Sequence, residues 1–103
     1  MKLLVILSIE EYADEVRKIL ARQKVSMYSE TEIYGFRAEV HQPDIANWFA
    51  KDTPGVYSRM FFSMQSADCV TRILDEVESY NNETGSDQPN PLHAYQLNVE
   101  KSV

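Results

Sequence analysis

The sequence predicts a single α+β domain of the ferredoxin-like kind, with two helices on one face of a four-stranded antiparallel sheet. Three observations carry that expectation. Four segments read as strands, two carry apolar residues at helical spacing, and their order along the chain is β-α-β-β-α-β. A chain of 103 residues has room for one core, so the unit is one domain spanning residues 1–103.

Leu3–Leu7 is a continuous apolar run, as in a central strand covered on both faces. Ser8 stands three residues before Glu11, the spacing of a capping box that would start a helix there. Tyr12, Val16, Ile19 and Leu20 then follow at helical intervals, with acidic residues early and basic ones late. From Val25 to Arg37 the chain alternates Met27, Ser29, Thr31 and Ile33 against Tyr28, Glu30, Glu32 and Tyr34. Val56–Gln65 alternates again, Met60, Phe62 and Met64 against Arg59 and Phe61. Ser66 is placed to cap a second helix with a stripe of Val70, Ile73, Leu74 and Val77. Asn81–Pro91 is dense in turn formers and reads as a loop, and Leu92–Glu100 alternates as the last strand.

Only one sheet face can be covered by the helices. With Met27, Ile33, Met60 and Phe62 set toward them, Tyr28, Tyr34, Tyr57 and Phe61 would face away. Aromatic residues gathered on an open sheet face point to an interface between subunits. The plainer reading is that tyrosine suits strands.

Composition excludes several classes. The net charge of −6 and the lack of a basic cluster disfavour nucleic acid as a partner. One cysteine rules out an internal disulfide framework and paired-cysteine zinc or redox motifs. The Leu3–Leu7 run is too short for a membrane span and lacks a cleavage signature, so no membrane insertion and a cytoplasmic location are expected.

No constellation of residues suggests catalysis, and the chain is not expected to be an enzyme. Glu39, His41 and Asp44 could approach a metal, but three loop residues are the ordinary composition of a solvated segment, and no metal site is expected. Cys69 lies among apolar helix neighbours and reads as a buried thiol, and His93 as a structural or interface residue. Met60 and Met64 read as core rather than soft-metal ligands. Gly35, directly after a strand, marks a bulge, bend or close approach.

The stretch Thr31–Glu32–Ile33–Tyr34–Gly35–Phe36, preceded by MKLLVILS and an acidic first helix, resembles the PII signal-transduction family. There, second strands of this kind run into a long T-loop before the third strand. The resemblance implies a homotrimer, effector binding in clefts between subunits, and control of a partner through the loop at about 37–55. On it, the candidate effector-binding residues are Gly35, Phe36, Arg37, Gln65, Thr84 and Gly85. The candidate partner-binding residues are His41, Ile45, Trp48 and Phe49. Divergent members are associated with membrane transporters, which makes a transporter the expected partner class.

Departures from the family pattern matter for cofactors. Arg37–Ala38–Glu39 follow Gly35–Phe36 where the family continues with glycine, arginine and glutamine. After Thr84–Gly85 comes Ser86–Asp87–Gln88–Pro89, without the family's lysine and with an added carboxylate. The resemblance therefore does not extend to classical ATP binding, and the effector is unknown from sequence. A competing reading is a metal-handling protein resembling the CutA family, which would carry copper or zinc after purification without an affinity tag. A small monooxygenase of the dimeric α+β barrel kind is a third, and the absence of a polar cluster counts against it.

Overall fold

The computed structural model describes residues 1–36, 56–84 and 90–103. Strand β1 (Lys2–Ile9) leads through a 3-10 turn (Glu10–Tyr12) into helix α1 (Ala13–Arg22). Strands β2 (Ser29–Gly35) and β3 (Val56–Gln65) follow, then helix α2 (Ala67–Thr84) and strand β4 (Leu92–Asn98). The strands form one antiparallel sheet in the order β2-β3-β1-β4. This is the expected ferredoxin-like arrangement.

The core lies between the helices and one sheet face. Leu4 and Ile6 of β1, Phe61 of β3 and Leu92 of β4 meet Val16, Ile19 and Leu20 of α1 and Val70 and Ile73 of α2, all fully buried. Each large apolar side chain buried this way contributes roughly 1.5–3 kcal/mol. Cys69 is buried on α2 beside them.

The phase of β2 and β3 is the reverse of the sequence expectation: Tyr34 and Tyr57 share the helix side with Phe61, on which Tyr28 packs, while Ile33, Met60 and Phe62 lie on the open face. Phe61 is 1% exposed beneath the helices, whereas Phe62 is 38% and Met64 52% exposed on the other face. Two adjacent phenylalanines make the alternation ambiguous, and a one-residue slip transfers every side chain to the opposite face. The pairing decides it: Phe61 stands opposite Ile6, and Phe62 opposite Val5. Polar residues of β3 share the helix side with Phe61, Ser63 and Arg59 among them. Ser63 is buried, donating to the Met27 carbonyl (2.7 Å) and accepting from Gln65 Nε2 (2.8 Å). Arg59 reaches carboxylates at the sheet edge.

Two helix boundaries also differ. Ser8 does not form a capping box; it stays in β1, paired with Arg59 and Leu92, and its hydroxyl donates to the Ile9 carbonyl at 2.7 Å. The chain turns through Glu10–Tyr12 before α1 begins at Ala13. Helix α2 continues through Asn81 to Thr84, into the stretch expected to be loop. The Asn81 side chain explains the extension. It donates to the Leu92 carbonyl (2.9 Å) and accepts the Leu92 N–H (3.1 Å), tying the last helical turns to the start of β4. Ser66 caps α2 as expected, its hydroxyl accepting the Cys69 N–H at 3.2 Å.

Helix α1 ends in a Schellman motif. The Lys24 N–H reaches the Ala21 carbonyl and the Val25 N–H the Leu20 carbonyl, both at 3.0 Å, with Lys24 at φ 61°. The motif delivers Val25 into the core, so β2 starts only at Ser29 rather than at residue 25.

Candidate functional site

Two surfaces stand out among the described residues. The first is the sheet face that the helices leave open. The register sets Leu3 between Met64 and Leu97, and Val5 between Phe62 and Tyr95. Leu7 lies between Met60 and His93. Alternation carries these residues away from the buried Leu4, Ile6 and Ser8. Met64, Tyr95 and Leu97 are each about half exposed. Four strands at ~4.8 Å spacing and some seven residues at ~3.4 Å give a face on the order of 450 Å². Apolar residues from β1, β3 and β4 hold its middle and Ser29, Thr31 and Ser58 its β2 side, and apolar patches of this order are often functional.

The second surface is the helix side of β2, at the sheet edge. Glu30 accepts two hydrogen bonds from Arg17, from Nε at 3.1 Å and Nη2 at 2.8 Å, and a third from Arg59 Nη1 at 3.1 Å. Arg59 Nε also donates to Glu10 at 2.9 Å, and Arg17 Nη1 to Asp14 at 2.5 Å. The Arg17 guanidinium lies 5.8 Å from the Phe61 ring centroid, closing the core at this edge. Arg17 hydrogen bonds, partly opposed by desolvation, hold the Glu30 carboxyl below the usual carboxylate range. Glu30 in turn raises Arg17, and the Glu10 hydrogen bond raises Arg59.

That network continues to the neck where β2 and β3 end. The Tyr57 hydroxyl donates to Glu32 and accepts from Arg59 Nη2 at 3.4 Å. Its bond to Glu32 pushes the phenol up, so Tyr57 stays a donor. The Tyr34 and Tyr57 rings pack at 5.8 Å between centroids. Together these contacts fix both strands beside residues 37–55.

The expected effector residues are only partly brought together. Gly35 and Phe36 lie at the neck, Gly35 paired in register with Val56 and Phe36 72% exposed. Among the described residues there is no bulge and a Cβ on Gly35 would meet nothing within 4 Å, so the described part of the fold does not demand glycine there. Thr84 ends α2 at the same end of the sheet, because Asn81 fixes that helix to Leu92, opposite Ser8. Gln65 is at the other end of β3, paired with Lys2 and about 30 Å from the neck along the strand. Within one chain it cannot share a site with Gly35. Arg37, Gly85, His41, Ile45, Trp48 and Phe49 lie outside the described residues, as do Glu39 and Asp44.

Sequence reading missed the Arg17–Glu30–Arg59–Glu10 network. The register assembles it: Gly35 opposite Val56 sets Glu32 opposite Arg59 and puts Glu30 on the same face, and the sequence alone does not set that register across so long a connection. Among the described residues no group of three or more His, Cys, Asp or Glu could hold a metal ion, and no helix is long and apolar enough to cross a membrane.

The class these features define is a ferredoxin-like α+β domain with one sheet face uncovered. No protein-family model matches the chain, and no curated protein matches it. Solved structures do. A PII-like signalling protein from Thermus thermophilus superposes with a TM-score of 0.63 at 15% identity, over 95% of this chain and 85% of that one. CPII, a nitrogen regulatory PII-like protein from Thiomonas intermedia whose structure holds ADP, AMP and bicarbonate, gives 0.59 at 14% identity, over 99% and 94%. The chain has the PII-like fold.

Proposed function

We propose that the chain is a divergent PII-like regulatory protein, a non-enzymatic homotrimer assembled through its open sheet face. It binds a small effector in the clefts between subunits and controls a partner through residues 37–55. The observation that supports this most is the uncovered apolar sheet face in a fold shared with two PII-like proteins, one described as signalling and the other as nitrogen regulatory. A cleft between copies also offers Gln65 a role that one chain denies it, since a neighbour's Gln65 can approach a neck that its own chain holds ~30 Å away.

Bicarbonate, AMP and ADP are the first effectors to test, because CPII is described as bound to ADP, AMP and bicarbonate. ATP is expected to bind weakly, with Asp87 in the turn after Thr84–Gly85 and no lysine there. Missing one or two charge-assisted hydrogen bonds, at ~1.5–3 kcal/mol each, lowers affinity by orders of magnitude. Arg37 is the cation best placed in sequence to meet an anionic effector. The partner is a cytoplasmic-side surface of a membrane transporter, with Trp48 as the anchor on a segment that includes His41, Ile45 and Phe49; the family resemblance alone supports that partner class.

Thermal-shift titration with bicarbonate, AMP, ADP, ATP, 2-oxoacids, copper and zinc tests the effector. A ligand at a hundred times its dissociation constant stabilises the native state by ~2.7 kcal/mol. Stabilisation by bicarbonate, AMP or ADP is expected. A response to copper or zinc alone would move the chain to the metal-handling reading.

A further inference from the structure

We propose that the outer edge of β4 docks an extended, basic segment of a partner protein, which adds to the sheet as a fifth strand. In the order β2-β3-β1-β4, the edge strands are β2 and β4. They are built differently. β2 carries Glu30 and Glu32, and charge on an edge strand discourages further pairing. β4, with the sequence LHAYQLN, holds no charged residue and no proline. Its register with β1 runs unbroken from Leu92 to Asn98, so it has no bulge either. Charge, proline and bulge are the usual devices that blunt an edge, and β4 has none of them.

The Asn81 carboxamide shows which groups of β4 point outward. It accepts the Leu92 N–H at 3.1 Å and donates to the Leu92 carbonyl at 2.9 Å, as the backbone of a neighbouring strand would. Leu92 therefore directs both groups away from β1. In an antiparallel ladder that orientation repeats at every second residue, so Ala94 and Gln96 also turn their N–H and C=O outward. Asn81 fills the first of these positions. Among the described residues no strand pairs with the next two.

The side chains of Ala94 and Gln96 lie on the helix side, since they stand opposite the buried Ile6 and Leu4. There α2 and β4 border a groove of ≈ 450 Å³. Leu74, Leu92 and Ala94 give it apolar walls, and Asp75 and Glu78 give it negative charge. No lysine or arginine lines it, and among the described residues neither carboxylate has an ion-pair partner. A residue of the added strand opposite Ala94 or Gln96 shares their side of the sheet. A lysine or arginine there lays its apolar stem along Leu74 and sets its cation beside Asp75 and Glu78. The residues between fall beside Tyr95 and Leu97 on the other face, where apolar side chains fit. The segment therefore alternates basic and apolar residues. Backbone pairing supplies affinity, and the groove supplies selectivity. Neither the effector reading nor the trimer reading above is needed for it.

Fluorescence anisotropy of the full chain with the labelled peptide Ser-Lys-Val-Lys-Val-Lys-Ser, at low ionic strength, tests the proposal. Methyl groups on the backbone nitrogens of the lysines block pairing with Ala94 and Gln96; on those of the valines they point away from β4. The lysine-methylated peptide is expected to bind about tenfold more weakly than the parent, and the valine-methylated one to bind as the parent does. Glu78→Lys should weaken the parent peptide about tenfold. Asp14→Lys, the same change of charge beside the opposite edge, should leave it near wild type. Any other order of the three peptides, or no binding at hundreds of micromolar, would overturn the proposal. Equal losses from Glu78→Lys and Asp14→Lys would do the same, by assigning the binding to net charge. Gln96→Pro removes one outward N–H and leaves the pairing with β1 whole. It should abolish peptide binding without changing the mass of the chain in solution. A fall in that mass would assign the edge to a second copy and overturn the proposal.

Discussion

The two faces of the sheet are built from the same strands, yet they differ in what holds them. On the covered face, Leu4, Ile6, Phe61 and Leu92 are sealed by α1 and α2 within a single chain. On the open face, Leu3, Val5, Leu7 and Phe62 are as apolar, but among the described residues neither helix covers them. One face specifies the fold; in the proposed assembly, the other specifies an association. Substitutions on the first should change stability at any protein concentration, and those on the second should change mass.

The adjacent phenylalanines give the largest contrast. Phe61→Ala is expected to cost about 3–5 kcal/mol of folding stability, as a fully buried aromatic residue does. Phe62→Ala should cost less than about 1 kcal/mol in the dissociated chain. Denaturant unfolding at low micromolar concentration checks both, and equal losses would erase the distinction between the faces.

Asn81→Ala should cost about 2 kcal/mol, since it removes two hydrogen bonds and leaves the Leu92 backbone without them. Its effect should be independent of protein concentration, because both bonds lie within one chain. A loss that vanishes in the assembled state would show that a neighbour fixes this end of β4.

Glu30→Gln tests the charged edge. The Glu30 carboxyl titrates below its ordinary value of 4.5 in the folded chain. Its stabilisation is therefore fully present above that value and is lost as the pH falls through the folded one. The variant should be about 1 kcal/mol less stable than wild type near pH 7, a modest figure because the pair is partly solvent-screened. The gap should narrow toward pH 3. Thermal melts across pH 3 to 7 measure it, and a gap that stays constant would deny the ion pair its role.

Lys24→Gly belongs to neither face and should have the smallest effect. Glycine at the φ 61° position of the Schellman motif is expected to raise stability by about 0.5 kcal/mol. Chemical denaturation of the variant beside wild type measures it, and a loss of stability would deny that Lys24 is strained there.

Much of the covered face could be read from sequence, because helix periodicity in Val16, Ile19, Leu20, Val70, Ile73 and Val77 leaves one apolar stripe per helix. The strands resisted that reading. β1 is apolar on both faces, and β3 has phenylalanine on both, so alternation could not decide which side the helices take. Ser63 and Arg59 added to the ambiguity, being polar residues on the covered side whose partners come from distant parts of the chain. The Ser8–Glu11 spacing imitated a capping box because local patterns do not report that a strand still pairs on both sides. The grouping of Gly35 with Gln65 came from family resemblance, and register separates them in one chain.

The central claim is that the open face joins copies of the chain, and the mass of wild type beside Phe62→Glu tests it most directly. Light scattering behind size exclusion, at pH 7.5 and tens of micromolar, should report about three chain masses for wild type. The same measurement should report one chain mass for Phe62→Glu, with native circular dichroism, because a carboxylate at the centre of an uncharged interface is strongly unfavourable. Wild type at one chain mass, or Phe62→Glu still at three, would contradict the account.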